Sequence, residues 1–217
     1  MKKIGVILSG CGVKDGSEIH EAVFTLLAID QAGAQALCMA PNIEHEEINH
    51  LTGEGTGKKR NVLLESARIA RGNIQDISKV KASDIDAVIL PGGFGAAKNL
   101  SDFASKGPEA KAHSEVARLI HEMVLAKKPI GAICIAPATI AAILGKEISP
   151  TLTIGNDAGT ASALEKMGAK HQNCPVKEFV VDEKNKIVST PAYMLANRIS
   201  ETYEGISKLV KEVIKLS

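Results

Sequence analysis

Apolar residues arrive along this chain in short unbroken runs that alternate with stretches of helical period. Lys3 to Ser9 is apolar and β-branched and ends in the turn-forming stretch Gly10 to Gly16; apolar positions then recur at Ile19, Val23, Leu26, Leu27 and Ala28. That spacing predicts strand, loop and helix, with Gly33 as a C-cap before a second short strand from Ala36 to Ala40. Residues 42–59 are polar and carry Gly53, Gly55 and Gly57, after which Val62, Leu63, Ala67 and Ile69 predict a short helix ending at Gly72. Ile85 to Leu90 is almost wholly apolar and stops at Pro91-Gly92-Gly93, the pattern of a strand covered on both faces. A helix is predicted over 109–126, a buried strand from Ile130 to Cys134, and a helix from Ala136 to Leu144 with almost no loop between them. Thr151 to Ile154 reads as a strand and Ser162 to Met167 as a helix capped at Gly168. Val180 to Asp182 and Ile187 to Ser189 flank a turn, and an amphipathic helix over 194–216 ends the chain.

Strands that alternate with helices imply an α/β fold: a mostly parallel sheet with right-handed crossovers and helices on both faces. No internal repeat or low-complexity linker marks a boundary, so residues 1–217 read as one domain. Ligands of such sheets gather at the carboxyl ends of the strands. Three loops fall there: Ser9 to Gly16, Pro91 to Gly95, and Cys134 to Pro137.

Composition narrows the function. The 45% hydrophobic content suits one sizeable core, and a net charge of +1 from 26 basic and 25 acidic residues argues against a surface built for nucleic acid or anionic lipid. Trp is absent, and two Tyr and four Phe make a poor supply of stacking platforms. The apolar run from Ile4 to Leu8 is too short for a signal segment or a membrane span. Cys11, Cys38, Cys134 and Cys174 are scattered, with no C-x-x-C pair and no His at ligand spacing, so neither a metal site nor a disulfide framework is expected. These features together predict a cytoplasmic protein with a small-molecule ligand.

The chemistry centres on Gly131-Ala-Ile-Cys-Ile-Ala-Pro137. It places Cys134 on a sharp strand-to-helix turn flanked by small residues, the logic of a nucleophile elbow. A helix N-terminus favours thiolate over thiol, which predicts a lowered pKa; the alternative is a small buried packing residue. Gly92 and Gly93 offer unobstructed N–H groups, suited to a plain turn or to holding an oxyanion. Neither Gly10-x-Gly12 nor Gly93-x-Gly95 completes a dinucleotide fingerprint, so no nicotinamide cofactor is expected. Glu18 and Glu21 follow the first strand and suit either a catalytic partner of Cys134 or simple complements to the helix dipole. Cys11 is a secondary thiol candidate, and Asn156 and Asp157 are accessory polar candidates in the loop after the next strand.

The stretches S-G-C-G-V-x-D-G-S-E-I-H-E-A, P-G-G-F-G-A-A-K-N-L, C-I-A-P and T-P-A-Y-M-L-A together resemble the DJ-1/PfpI superfamily, a relative of class I glutamine amidotransferase domains. Within it they are similar to the Elb branch, named for enhancing lycopene biosynthesis. The resemblance implies a flavodoxin-like three-layer sandwich, a homodimer, and a glutamate bonded to the elbow cysteine; counted back from Gly33, that glutamate is Glu21. It also implies a cofactor-free, glutathione-independent glyoxalase, a lyase of the hydro-lyase class, converting the small dicarbonyl glyoxal to glycolate, with a link to isoprenoid biosynthesis. In that chemistry Cys134 forms a hemithioacetal, Glu21 moves protons, and N–H groups around Gly92, Gly93 and Ile135 hold the oxyanion. A non-enzymatic oxidant sensor using the same thiol, and a partner-binding protein with a vestigial cleft, are the competing readings. Two departures stand out: Ile135 occupies the position where many PfpI-type members carry His, and the region around Thr190-Pro191-Ala192 lacks the distal His of glutaminase triads.

Overall fold

The computed structural model describes residues 1–217. In chain order the elements are β1 (Lys3–Ile7), α1 (Ile19–Gln31), β2 (Gln35–Ala40), β3 (Glu44–Ile48), β4 (Gly55–Asn61), α2 (Val62–Ile69) and β5 (Ile74–Asp76). Next come β6 (Ala87–Leu90), α3 (Phe94–Lys98), α4 (Phe103–Lys106), α5 (Ser114–Leu125), β7 (Ile130–Ile133) and α6 (Ala136–Ile148). The chain closes with β8 (Thr151–Leu152), α7 (Ala158–Lys166), β9 (Lys170–His171), β10 (Val180–Asp182), β11 (Ile187–Thr190) and α8 (Ile199–Leu216). Seven strands form the central sheet in the order β10-β11-β7-β6-β1-β2-β5, and only β10 runs antiparallel to its neighbour. This is the α/β fold expected from the alternation of runs and periods.

Side-chain alternation along the strands builds two cores. Ile4, Val6, Ala87 and Ile89 face one side of the sheet with α1 and α8, while Ile7, Val88, Leu90, Ile130 and Ala132 face the other with α5 and α6. With both faces covered, the central strands are apolar throughout, which is why they read as unbroken runs.

Several boundaries differ from the expectation. The polar stretch 42–59 holds the antiparallel hairpin β3–β4, paired from Glu44↔Asn61 to Ile48↔Gly55. The predicted helix over 109–126 begins at Ser114, because Gly107–Glu109 forms a separate 3-10 turn around Pro108. The last helix starts at Ile199 rather than Met194, after a 3-10 turn over Ala192–Met194. No helix is long and apolar enough to cross a membrane.

The chain leaves β1 towards β2 on one side, and β6 continues towards β7 on the other. The crevice where the order reverses lies above β1 and β6, beside the end of β7. The loops after these three strands meet there.

Candidate active site

The β7–α6 junction positions Cys134. Its backbone sits at φ 60°, the left-handed region that costs a non-glycine residue roughly 1–3 kcal/mol. The strain is held in place because the Cys134 N–H still donates to the Thr190 carbonyl at 2.9 Å, continuing the pairing of β7 with β11. The turn lifts the side chain above the sheet, where it is 7% exposed at the base of a cavity. Ile135 caps α6 without any side-chain acceptor; Pro137 has no N–H to satisfy, and the Ala138 N–H donates to the Ile135 carbonyl at 3.0 Å.

Glu21 comes from the first turn of α1. The Glu18 carboxylate caps this helix by accepting the Glu21 N–H at 2.7 Å, and the Glu18 N–H donates to the Gly92 carbonyl at 2.9 Å, so α1 is tied to the β6 loop. Glu21 is fully buried. Its Oε2 accepts from the Gly92 N–H at 2.9 Å and its Oε1 from the Tyr193 N–H at 3.2 Å. A Cβ built on Gly92 would stand 2.5 Å from Cys134 Cβ and 2.6 Å from Glu21 Oε2. The cysteine and the carboxyl therefore meet across a bare Cα, and only glycine fits there. Gly93, at φ +93°, would drive a Cβ to within 2.3 Å of the Glu18 nitrogen.

Electrostatics set the resting state. Burial, with a smaller contribution from the Glu18 charge, pushes the Glu21 pKa up to about 8 despite the two backbone N–H bonds. The Cys134 side chain and this carboxyl sit side by side across Gly92, and each shifts the ionisation of the other. Burial first, and the Glu21 charge second, push the thiol well above its ordinary value, against the lowering effect of the Gly93 and Ile135 N–H groups. The sequence predicted the reverse, a lowered pKa from the helix N-terminus. Desolvation of a thiol that is nearly shut off from solvent outweighs two amide dipoles. At neutral pH the pair is thus a protonated carboxyl beside a thiol. Together they form an acid–base couple whose base is poised close to 8.

The structure brings Cys134, Glu21, Gly92, Gly93 and Ile135 into one site and leaves the other candidates apart. Asp157 caps α7, accepting the Thr160 N–H at 2.7 Å. Asn156 is exposed beside it, and neither lines the Cys134 cavity. Cys11 lies among Asp15, Arg60, Glu65 and Arg68, where burial raises its pKa, and it too is absent from the cavity wall. Glu18 lines the cavity, and His20 Nδ1 hydrogen-bonds the Tyr193 hydroxyl at 2.8 Å. Sequence reasoning missed the Tyr193 N–H that holds Glu21, and Phe103 and Met194 as cavity walls. The only trace of Tyr193 and Met194 was the T-P-A-Y-M-L-A stretch, and Phe103 left none. Nowhere do three or more His, Cys, Asp or Glu side chains come together as metal ligands.

The sequence pattern of the family described as "DJ-1/PfpI family" matches residues 12–193. The chain is 44% identical to the ES1 protein homolog, mitochondrial, of Rattus norvegicus, an alignment covering 99% of this chain and 84% of the relative. It is also 44% identical to the Homo sapiens glutamine amidotransferase-like class 1 domain-containing protein 3, mitochondrial, covering 99% and 83%. A solved structure, an isoprenoid biosynthesis protein with amidotransferase-like domain from Ehrlichia chaffeensis, superposes with a TM-score of 0.94 at 37% identity, covering 100% of this chain and 99% of that one. These names correct one expectation. The cytoplasmic location inferred from scattered cysteines and a short N-terminal run is overturned by relatives named as mitochondrial; a reducing cytosol and a mitochondrial interior leave the same trace in cysteine usage. A family pattern spanning most of the chain, relatives aligned along 99% of it, and a fold that superposes end to end agree on one assignment: this chain belongs to the DJ-1/PfpI family, whose members are class I glutamine amidotransferase-like.

Proposed function

We propose that the protein is a cofactor-free glyoxalase of the Elb branch, adding water across glyoxal to give glycolate. The observation that carries this reading is the placement of Cys134, across Gly92, beside a buried carboxyl whose pKa is about 8. A base poised near the operating pH suits proton abstraction from both a thiol and a carbon acid.

Ionised Glu21 takes the thiol proton as sulfur adds to one aldehyde carbon. The oxyanion so formed is held by the Gly93 and Ile135 N–H groups, which already face the sulfur, and the proton returns to it from Glu21. Glu21 next removes the hydrogen from the same carbon while the second carbonyl oxygen gains a proton, giving an enediol. Protonation of the neighbouring carbon yields the thioester of glycolate, which water cleaves to glycolate and free thiol. One molecule of water is consumed, and the oxidation of one carbon balances the reduction of the other. No imidazole takes part in these steps, since Ile135 stands where many relatives of PfpI type have His, and slow turnover is expected. The test supplies purified protein with glyoxal and measures glycolate; formation that survives Cys134→Ala sinks the reading.

The link to isoprenoid biosynthesis rests on the motif resemblance and on the name of the Ehrlichia protein. The homodimer belongs to the same proposal, supported by the exposed apolar residues Ile19, Val23 and Leu27 at helical spacing on α1. Light scattering on the purified chain tests it. A second reading, the oxidant sensor, is favoured by the protonated state of Glu21, which can donate to a sulfinate oxygen on Cys134. Mass spectrometry after mild peroxide, reading oxygen added at Cys134 before Cys11 and Cys174, tests it.

A further inference from the structure

The scarce aromatic residues of this chain gather along one side of α1. Both tyrosines and one of the four phenylalanines, Phe24, join His20 in a continuous ladder. The His20 ring stacks on Phe24 at 6.1 Å between centroids and tilts against Tyr193 at 5.9 Å, and Phe24 meets Tyr203 edge to face at 5.4 Å. At the end nearest Cys134, His20 Nδ1 and the Tyr193 hydroxyl form a hydrogen bond of 2.8 Å, tying the turn after β11 to α1. Thr202 of α8 also influences this phenol, but its buried Oγ1 makes no hydrogen bond, so the imidazole alone bonds the hydroxyl.

The same turn holds the buried carboxyl of Glu21, and the two bonds on that carboxyl are supported differently. The Gly92 N–H reaches Oε2 at 2.9 Å from a loop that the Glu18 N–H fastens through the Gly92 carbonyl. The Tyr193 N–H reaches Oε1 at 3.2 Å, at the long end of the usual range. It does so from a strained turn: Ala192, fully buried, sits at φ 44°, in the left-handed region that a non-glycine residue keeps only when its surroundings impose it. The Tyr193 side chain, bonded to an imidazole that is half exposed, is what anchors that turn to the helix carrying Glu21.

We infer that the hydrogen bond between His20 and Tyr193 is a latch that positions Glu21: the imidazole holds the phenol, the phenol holds the strained turn, and the turn aims its N–H at the carboxyl. His20 and Tyr193 are positioning residues, and neither gives an atom to the reaction. The kinetic consequence rests on the proposed glyoxalase chemistry; the structural one does not. Without the latch the turn relaxes, the 3.2 Å bond lengthens, and the ionised carboxylate loses one of its two backbone donors. Donors favour the charged form, so the carboxyl then keeps its proton to higher pH. Glu18 on the same helix and Cys134 across Gly92 are the other titratable groups that act on Glu21, and Tyr193→Phe alters neither.

The experiment follows glycolate formation and urea denaturation over a series of pH values in the parent, Tyr193→Phe, His20→Ala and His20→Asn, whose amide stands where Nδ1 stood. Tyr193→Phe and His20→Ala should each move the midpoint of the rate profile up by about one pH unit, the shift expected from one charge-assisted hydrogen bond. The rate at neutral pH then falls about tenfold, while the alkaline plateau and the KM for glyoxal stay within about twofold of the parent. His20→Asn should restore the parent profile. In urea, the loss of stability with rising pH should continue to correspondingly higher pH in the two latch-free variants, and Tyr193→Phe should no longer change that slope in a Glu21→Gln background. Stability curves that run parallel to the parent at every pH, or a lowered plateau with an unmoved midpoint, overturn the inference and leave the glyoxalase reading standing. If the parent forms no glycolate, the glyoxalase reading fails and the urea series still decides the latch.

Discussion

Two thiols stand at the carboxyl ends of parallel strands in this sheet, and they differ in almost everything else. Cys134 follows β7 directly into α6, at φ 60°, with two amides and a buried carboxyl around its sulfur. Cys11 follows β1 into a long loop and sits half-buried among the charges of Asp15, Arg60, Glu65 and Arg68. Position at a strand end is thus insufficient. A cysteine becomes a candidate nucleophile here because a helix begins immediately after it and because the α1 carboxyl is clamped beside it through the backbone of Gly92 and Tyr193.

The contrast breaks most decisively in the rate of hydroxy-acid formation. Cys134→Ala should lower it by at least about 10³-fold, through loss of the covalent step, while Cys11→Ser should stay within about twofold of the parent. An equal loss in both variants would erase the distinction. Next in size is the pH dependence of folding. The folded state keeps the Glu21 proton up to about 8, whereas the unfolded chain releases it near 4.5. This acid-side stabilisation is therefore present at low pH and is lost progressively as pH rises from 4.5 to 8. Urea denaturation should show roughly 3 kcal/mol less stability at pH 8 than at pH 5 from this group, and Glu21→Gln should flatten that slope.

Glu21→Gln should also reduce turnover by about 10²-fold, as expected when a positioned acid–base group is removed. In the parent protein the rate should climb nearly tenfold per pH unit below 8 and level off above it, tracking ionised Glu21. The variant should lose that profile. Smallest is Asp157→Ala, which removes the cap of α7 and should cost about 1 kcal/mol of stability without changing the rate profile.

The sheet was legible because its central strands are buried on both faces, so Val88, Ile89 and Leu90 or Ile130 to Ile133 appear as unbroken apolar runs. Where burial fails, so does the signal. β5 is only Ile-Gln-Asp at a sheet edge, and β4 is almost wholly exposed, so neither carries an apolar pattern. Cys134 was readable because elbow geometry demands small neighbours, whereas the residues alone left Glu18 and Glu21 open and only the family resemblance selected Glu21. The Tyr193 clamp was not, since a backbone N–H has no residue signature and the 3-10 turn that aims it is fixed by packing. The ionisation of the thiol was misread because a local motif reports the dipole and says nothing of the desolvation imposed by the surrounding fold.

The left-handed backbone of Cys134 has a consequence for anyone seeking a sturdier version of this protein. Cys134→Gly would relieve the strain at φ 60°, worth roughly 1–3 kcal/mol, and raise the melting temperature. The same exchange would remove the one thiol on the cavity wall. Robustness and reactivity compete for one residue, and Cys134 leaves it to reactivity.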